Sequence, residues 1–290
     1  MLLLGAHLSI AGGCHHALFA AHKLKCNCVQ LFVKNQRQWQ MSPISDSDLE
    51  LWNVTRQKFQ KEILHIIAHS GYLINLASDR DEVRTLSRQA LREELVRCNQ
   101  MNIDHLVLHP GSHRGQGEKQ GIKLVAAGLD AVLAEIPSVK ILLETTAGGG
   151  HCLGGTIEQI ARLIDASKRS ERLGCCLDTC HLHAAGYRLE PESQLDELLK
   201  TIDRLIGIDC IGCIHMNDAK GAIGSHLDRH EHIGRGLIGI DSFRHILQHK
   251  KLADIPKIIE TPKTPGLPMT NDRKNLSVLR NLYGRQNDKQ

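Results

Sequence analysis

Six short apolar runs in this chain each stop at a histidine or a carboxylate. Ile63–Ala68 leads into His69, Leu106–Leu108 into His109, and Ile141–Leu143 into Glu144. Cys175–Leu177 leads into Asp178, Cys213–Ile214 into His215, and Ile258–Ile259 into Glu260. Short apolar runs bounded by polar residues read as strands buried on both faces. A titratable side chain at the end of such a strand contributes nothing to packing. If the strands are parallel, all six side chains converge at one mouth of one sheet, where α/β barrels place their chemistry. Three histidines and three carboxylates converging there describe a metal site with more than one ion.

Leu2–Leu4 and Val29–Val33 bring the number of predicted strands to eight. Helical patterns lie between them. Residues 80–101 place Leu86, Ala90, Leu91, Leu95 and Cys98 on one face, as an amphipathic helix requires. Thr156 followed by Gln159 predicts a capping box, and residues 46–61, 192–206, 241–250 and 271–282 read as further helices. Alternating strand and helix signals imply parallel βα units. Eight such units favour a closed (β/α)8 TIM barrel, expected as a single domain over residues 1–290. Long polar loops are expected at the C-terminal face of the strands, at 34–45, 70–79, 110–118, 145–155, 179–190 and 216–238. No GxGxxG or Walker sequence follows an early strand, which disfavours a nucleotide-cofactor fold.

An apolar fraction of 41% is enough for a large core, and the 18 histidines supply the commonest metal ligand. A formal charge of +4 is only a weak pointer to a polyanionic partner. The ten cysteines have no disulfide-scaffold spacing and read as reduced, buried thiols. Cys210 and Cys213 form a CxxC pair inside a predicted strand, where residues three apart face opposite ways, so the pair is not expected to bind metal. The first residues lack a basic signal-peptide region, and no apolar run approaches a membrane span. A soluble cytoplasmic protein is expected.

A lone strand-end histidine is usually a hydrogen-bonded structural residue, but six ligand types on six strands are hard to explain that way. Asp178 and His181 lie three residues apart, and Asp228 and His230 two apart, so each pair can face one ion. Mixed His, Asp and Glu ligands suit zinc or a similar borderline ion. His7, His113, His151, His183, His226 and His232 read as supporting or surface residues. Arg37, Trp39 and Tyr72 read as loop residues that either touch a partner or simply pack.

In order and spacing, a set of motifs resembles endonuclease IV, the zinc-dependent apurinic/apyrimidinic endonuclease family of DNA base-excision repair. They are Gly5–Ala6–His7, Lys34–Asn35–Gln36–Arg37–Gln38–Trp39 and His109–Pro110–Gly111–Ser112–His113. Glu144–Thr145–Thr146–Ala147–Gly148, Leu177–Asp178–Thr179–Cys180–His181 and His215–Met216–Asn217–Asp218 follow, then Asp228–Arg229–His230–Glu231 and Glu260–Thr261–Pro262. The resemblance runs from Leu4 to about Tyr283. It implies a TIM barrel with three zinc ions per chain, manganese being an alternative in some sites. His69, His109 and Glu144 would hold the first ion. Glu144, as the catalytic bridging residue, would share the second with Asp178, His215 and Glu260. His181, Asp228 and His230 would hold the third.

The implied partner is double-stranded DNA with abasic sites or blocked 3′ ends, contacted by Asn35, Arg37, Gln38, Tyr72 and Leu73. Arg37, Tyr72 and Leu73 would enter the base stack. Lys34, Arg114, Lys220, Arg229 and Arg235 are candidates for phosphate contacts. The implied reaction is hydrolysis 5′ to the abasic sugar, leaving a 3′-hydroxyl and a 5′-deoxyribose phosphate, with cleaning of blocked 3′ ends. A monomer in a bacterial-type cytosol, acting at the nucleoid, is expected. Two positions depart from the pattern. Cys175 replaces a branched aliphatic residue, and His151 replaces a small hydroxyl residue.

Two rival readings compete. A sugar isomerase or epimerase on a similar barrel would need one or two ions and aromatic walls, whereas this chain is 3% aromatic. A non-catalytic DNA-damage binder would use its metals only to organise the fold.

Overall fold

A computed structural model describes residues 1–284 apart from Pro137, Pro265 and Pro268. The last six residues of the expected 1–290 domain lie outside the described residues. The strands in chain order are β1 (Leu4–His7), β2 (Cys28–Phe32), β3 (His65–His69), β4 (His105–Leu108) and β5 (Lys140–Glu144). Then come β6 (Leu173–Asp178), β7 (Ile211–His215), β8 (Asp218–Ala219), β9 (His230–Glu231) and β10 (Lys257–Ile259). Strands β1–β7 and β10 close a parallel barrel in the order β1-β10-β7-β6-β5-β4-β3-β2, while β8 and β9 form a small antiparallel ribbon.

The helices are α1 (His15–Lys23), α2 (Asp46–Phe59), α3 (Asp81–Gln100), α4 (Glu118–Glu135) and α5 (Ile157–Asp165). They continue with α6 (Thr179–Ala184), α7 (Glu192–Ile206), α8 (Ile240–Gln248) and α9 (Thr270–Gly284). The expected (β/α)8 TIM barrel is therefore what the chain forms. None of the described helices is long and apolar enough to cross a membrane.

Period-2 alternation positions the site. The inside of the barrel is filled by Leu3, Cys28, Ile67, Val107, Leu142, Cys176, Cys213 and Ile258, one residue from each strand or its edge. Their chain neighbours Val29, Ala68, Leu108, Leu143, Leu177, Ile214 and Ile259 face outward into the core beneath the helices. Two residues on from each interior residue, the side chain points inward again. From Ile67, Val107, Leu142, Cys176, Cys213 and Ile258 that step leads to His69, His109, Glu144, Asp178, His215 and Glu260. The strand ends thus form one layer above an apolar interior.

Three local expectations need correction. The first strand covers Leu4–His7 rather than Leu2–Leu4, because the small Gly5 and Ala6 allow the backbone to approach β2 closely. A Cβ on Gly5 would lie 1.9 Å from the Cys28 carbonyl oxygen. The 179–190 loop begins with α6, nucleated by Asp178, whose side chain accepts from His181 N as an N-cap. Cys210 ends a single 3-10 turn (Ile208–Cys210) and lies before β7 rather than inside it. All ten cysteines are free. The capping box forms with a shift: Thr156 Oγ1 accepts from Gln159 N at 3.1 Å, and Gln159 Oε1 accepts from Gly155 N at 2.9 Å.

A candidate metal centre at the barrel mouth

Glu144 is buried at the centre of the layer and presents its two oxygens to different neighbours. Oε2 lies 3.2 Å from His69 Nε2 and 3.0 Å from His109 Nε2. Oε1 lies 2.9 Å from His215 Nδ1. His215 Nδ1 in turn lies 3.2 Å from Glu260 Oε2 and 3.8 Å from Asp178 Oδ2. His69, His109 and Glu144 make one group able to hold an ion, and Glu144, Asp178, His215 and Glu260 make another. Glu144 belongs to both, the placement a bridging carboxylate needs.

The third set is looser. Asp228 Oδ1 lies 3.2 Å from His181 Nε2 and 3.4 Å from His230 Nε2. Asp228 is 54% exposed, on the loop between β8 and β9. His181, Asp228 and His230 do not together make one of the metal-competent groups among the described residues: His181 and His230 group with Asp178, and Asp228 and His230 with Cys180.

The site fits divalent cations by the protonation of its rings. His69 Nδ1 donates to Ser70 O at 2.8 Å, His181 Nδ1 to Thr145 O at 2.8 Å, and His230 Nδ1 to Glu260 O at 3.2 Å. Each bond commits Nδ1 as a donor and leaves Nε2 as the nitrogen that can be given to an ion, as metal-binding imidazoles are commonly held. His230 Nε2 is buried without a hydrogen-bond partner. Asp178 is oriented by Asn217 Nδ2, which donates to Oδ2 at 2.6 Å.

Charge in the layer is balanced between carboxylates and imidazoles. Burial opposes ionisation of Glu144 and Glu260, yet both carboxyls lie well below their usual range. His109 and His215 hold Glu144 down, and His215 and His7 hold Glu260 down. Asp228, though half exposed, is pulled to about 2 by His181 and His230 against partial desolvation. His181 and His215 rise well above the usual imidazole value despite burial, because of Asp178 and Asp228 for one and Glu260 and Glu144 for the other. Bound cations would replace the protons on these rings and serve the same carboxylates.

The layer opens into a groove of about 1340 Å³ whose walls include Asn35, Tyr72, His109, Gly149 and Lys263. Asn35, Arg37 and Gln38 are exposed on the loop after β2. Asn35 shapes that loop: its Oδ1 accepts from Arg37 N at 3.0 Å and its carbonyl from Gln38 N at 3.2 Å. Tyr72 is 66% exposed and its ring lies 5.5 Å from that of Phe32, while Leu73 is half-buried. Trp39 packs against the core.

Lys34 differs from expectation. It is buried, 3.7 Å from Glu94 Oε1, and its Nζ donates to Trp39 O, so it is closed off from phosphates. The weaker histidines join none of the metal-competent groups among the described residues. His7 hydrogen-bonds Glu260 through Nδ1 at 2.8 Å, and the His113 and His151 rings lie 5.0 Å apart. Cys213 does group with a second thiol, but that thiol is Cys176, with His215 above them, rather than Cys210. The sequence reading missed Gln30. It stands two residues on from the interior Cys28 and so belongs to the ligand layer.

A closed parallel barrel with this histidine–carboxylate mouth defines a xylose isomerase-like TIM barrel, and residues 18–282 match the family of that description. A probable endonuclease 4 from Geotalea daltonii is 43% identical over 281 residues, covering 96% of this chain and 97% of the relative. The crystal structure of endonuclease IV from Thermus thermophilus superposes with a TM-score of 0.82 at 30% identity, covering 96% of this chain and 99% of that one. The chain belongs to the endonuclease IV family. A D-tagatose 3-epimerase-like protein, at 19% identity and a TM-score of 0.72 over 100% of this chain and 99% of its own, shares the fold alone.

Proposed function

We propose that this chain is a zinc-dependent AP endonuclease of base-excision repair. It hydrolyses the phosphodiester 5′ to abasic sites in double-stranded DNA, leaving a 3′-hydroxyl and a 5′-deoxyribose phosphate, and it clears blocked 3′ ends at the same centre. The observation that carries this reading is the bridging placement of Glu144, one oxygen toward His69 and His109 and the other toward His215. The mouth in which that carboxylate lies belongs to a family whose relatives are named endonucleases.

His69, His109 and Glu144 would hold one ion, Glu144, Asp178, His215 and Glu260 a second, and His181, Asp228 and His230 a third. Zinc suits these donors, and manganese is an alternative in the more oxygen-rich set. Divalent ions there supply the Lewis acidity that phosphodiester hydrolysis requires.

The chain's own residues do the rest. Ser70 and Thr145, through their carbonyls, orient His69 and His181, and Asn217 orients Asp178. Tyr72, standing in solvent at the groove, supplies a flat apolar face for the gap in a base stack, and Arg37 and Leu73 flank it. An abasic nucleotide stacks poorly and is cheaper to extrude than a normal one, which is the source of selectivity. Asn35 and Gln38 contact the backbone beside it. The enzyme works as a monomer in the cytoplasm, on nucleoid DNA.

The sugar-epimerase alternative rests on fold likeness and has no use for the additional His181–Asp228–His230 set.

The test is incision of a duplex bearing one tetrahydrofuran abasic analogue, beside an undamaged duplex. The analogue blocks β-elimination, so only a hydrolase cuts it. One cut 5′ to the analogue, lost on chelation and restored by zinc, is expected. No cutting by folded, zinc-loaded protein would overturn the assignment.

A further inference from the structure

Gln30 is fully buried on β2, in the same layer as the six strand-end ligand candidates. A neutral amide there has no packing value and must find partners. Gln30 Nε2 donates to Glu260 Oε1 at 2.7 Å, and Gln30 Oε1 accepts from His215 Nε2 at 2.9 Å. Gln30 therefore spans two members of one metal-competent group, Glu144, Asp178, His215 and Glu260.

Donor and acceptor chemistry fixes the direction of this relay. An ionised carboxylate only accepts, so the amide must turn its NH2 to Glu260. The His7 ring also faces Glu260 Oε1, at 2.8 Å through Nδ1, and donates to it for the same reason, so the 3.0 Å approach of Gln30 Nε2 to His7 Nδ1 is of two donors sharing one carboxylate oxygen. The amide oxygen of Gln30 is then committed to His215, and it too can only accept. His215 must carry a proton on Nε2. The nitrogen it can give up to an ion is therefore Nδ1, the atom that faces Glu144, Glu260 and Asp178.

His215 is thus reversed relative to His69, His181 and His230, which present Nε2 and are held at Nδ1 by main-chain carbonyls. A carbonyl of the main chain cannot be mutated away or turned. The side-chain amide that holds His215 can.

We propose that Gln30 is a positioning residue that selects the Nδ1-coordinating tautomer of His215 and ties it to Glu260, for the ion those residues share with Glu144 and Asp178. This rests on the metal-centre reading above.

The test is chelator competition on zinc-loaded protein, comparing the parent with Gln30→Met, which keeps the volume and loses the amide. Changes around metal ligands of this kind cost roughly 10–100-fold in affinity. We expect one class of zinc to leave Gln30→Met at roughly 10–100-fold lower chelator concentration, with the remaining zinc released as in the parent. The metal-free variant loses two buried hydrogen bonds and should melt below the metal-free parent; the selective loss of one class of zinc is the readout that a merely structural role would not give. Coincident release curves would overturn the proposal. So would a parallel fall in metal-free stability with no selective loss of zinc.

A second measurement needs no variant. Nitrogen-15 correlation spectra of histidine-labelled, zinc-loaded parent should show one metal-bound ring protonated at Nε2 among others protonated at Nδ1. If every coordinated ring is protonated at Nδ1, the proposal fails even if Gln30→Met does not fold. Neither readout uses DNA. Selective zinc loss in a protein that leaves abasic DNA uncut would sink the endonuclease assignment and keep this inference. A parent that binds no zinc would sink both.

Discussion

Lys34 and Glu94, both buried, lie 3.7 Å apart beneath the two loops that present Arg37 and Tyr72 to the groove. Lys34 Nζ closes one loop by donating to Trp39 O at 2.8 Å. Glu94 holds the other, accepting from Gly71 N at 3.2 and 3.3 Å through its two oxygens. Tyr72 N donates across to Gln36 O at 3.2 Å, so the loops are joined above and below. Arg97, on the same helix as Glu94, adds a hydrogen bond to Val33 O at 3.3 Å.

This pair makes stability depend on pH. Burial pushes the Glu94 carboxyl up to about 7 from 4.5, against the pull of Lys34 and the Gly71 N–H. Its folded value lies above its unfolded one, so its contribution is complete below about pH 4.5 and is lost as pH rises through about 7. The full span corresponds to at most roughly 3 kcal/mol. Glu94→Gln keeps an acceptor for Gly71 and does not titrate. Urea midpoints at acidic, neutral and mildly alkaline pH should show the parent losing ground to the variant as pH rises. Parallel curves would count against a perturbed Glu94.

Gly5 is required by close packing rather than by a turn. Its partner across the sheet is Cys28, and an added Cβ would sit 1.9 Å from that residue's carbonyl oxygen. Backbone cannot swing aside as a side chain can, so Gly5→Ala should reach or exceed the roughly 1–3 kcal/mol usual for overpacking. The variant is expected to accumulate poorly, or to unfold at a clearly lower urea concentration. A midpoint equal to the parent's would mean that β1 and β2 can separate at no cost.

The strand-end ligand candidates were legible because alternation works on a scale of two residues. A titratable group directly after an apolar run is visible without tertiary information. Gln30 carried the same signal, a polar residue on the inward phase of the run Val29–Val33, but being neutral it drew no notice. Lys34 could not be read correctly. Its burial depends on Glu94, which α3 brings from 60 positions further along the chain. Helix α6 hides because its cap, Asp178, is also a ligand candidate, and six residues, under two turns, are too short for a periodic pattern. Asp228 was legible as a ligand type, but its exposed place on the β8–β9 loop belongs to the fold of that loop.

Metal removal should be seen in stability before it is seen in catalysis. An ion that binds only the folded chain stabilises it by about 2.7 kcal/mol when present at 100 times its dissociation constant. Chelation should therefore lower the thermal midpoint, and zinc should restore it. The protective effect should fade as pH drops, because protons compete with the ion for the imidazole nitrogens. Identical melting with chelator and with zinc would mean that the histidine–carboxylate groups hold no cation.

Tyr72 separates fold from function. It is 66% exposed in the wall of the groove, and its ring lies 5.5 Å, centroid to centroid, from that of Phe32. Truncating so exposed a side chain should change stability by no more than about 0.5 kcal/mol. Stacking of a base on an aromatic side chain, by contrast, is worth roughly 1–3 kcal/mol. Tyr72→Ala should therefore melt with the parent, bind undamaged duplex as the parent does, and bind a tetrahydrofuran-containing duplex about 5- to 150-fold more weakly. Fluorescence anisotropy with the two duplexes gives all the binding constants. Equal weakening on both would make Tyr72 a general contact, whereas no weakening on either would remove it from the interface and leave the groove to be gripped by the Arg37 loop alone.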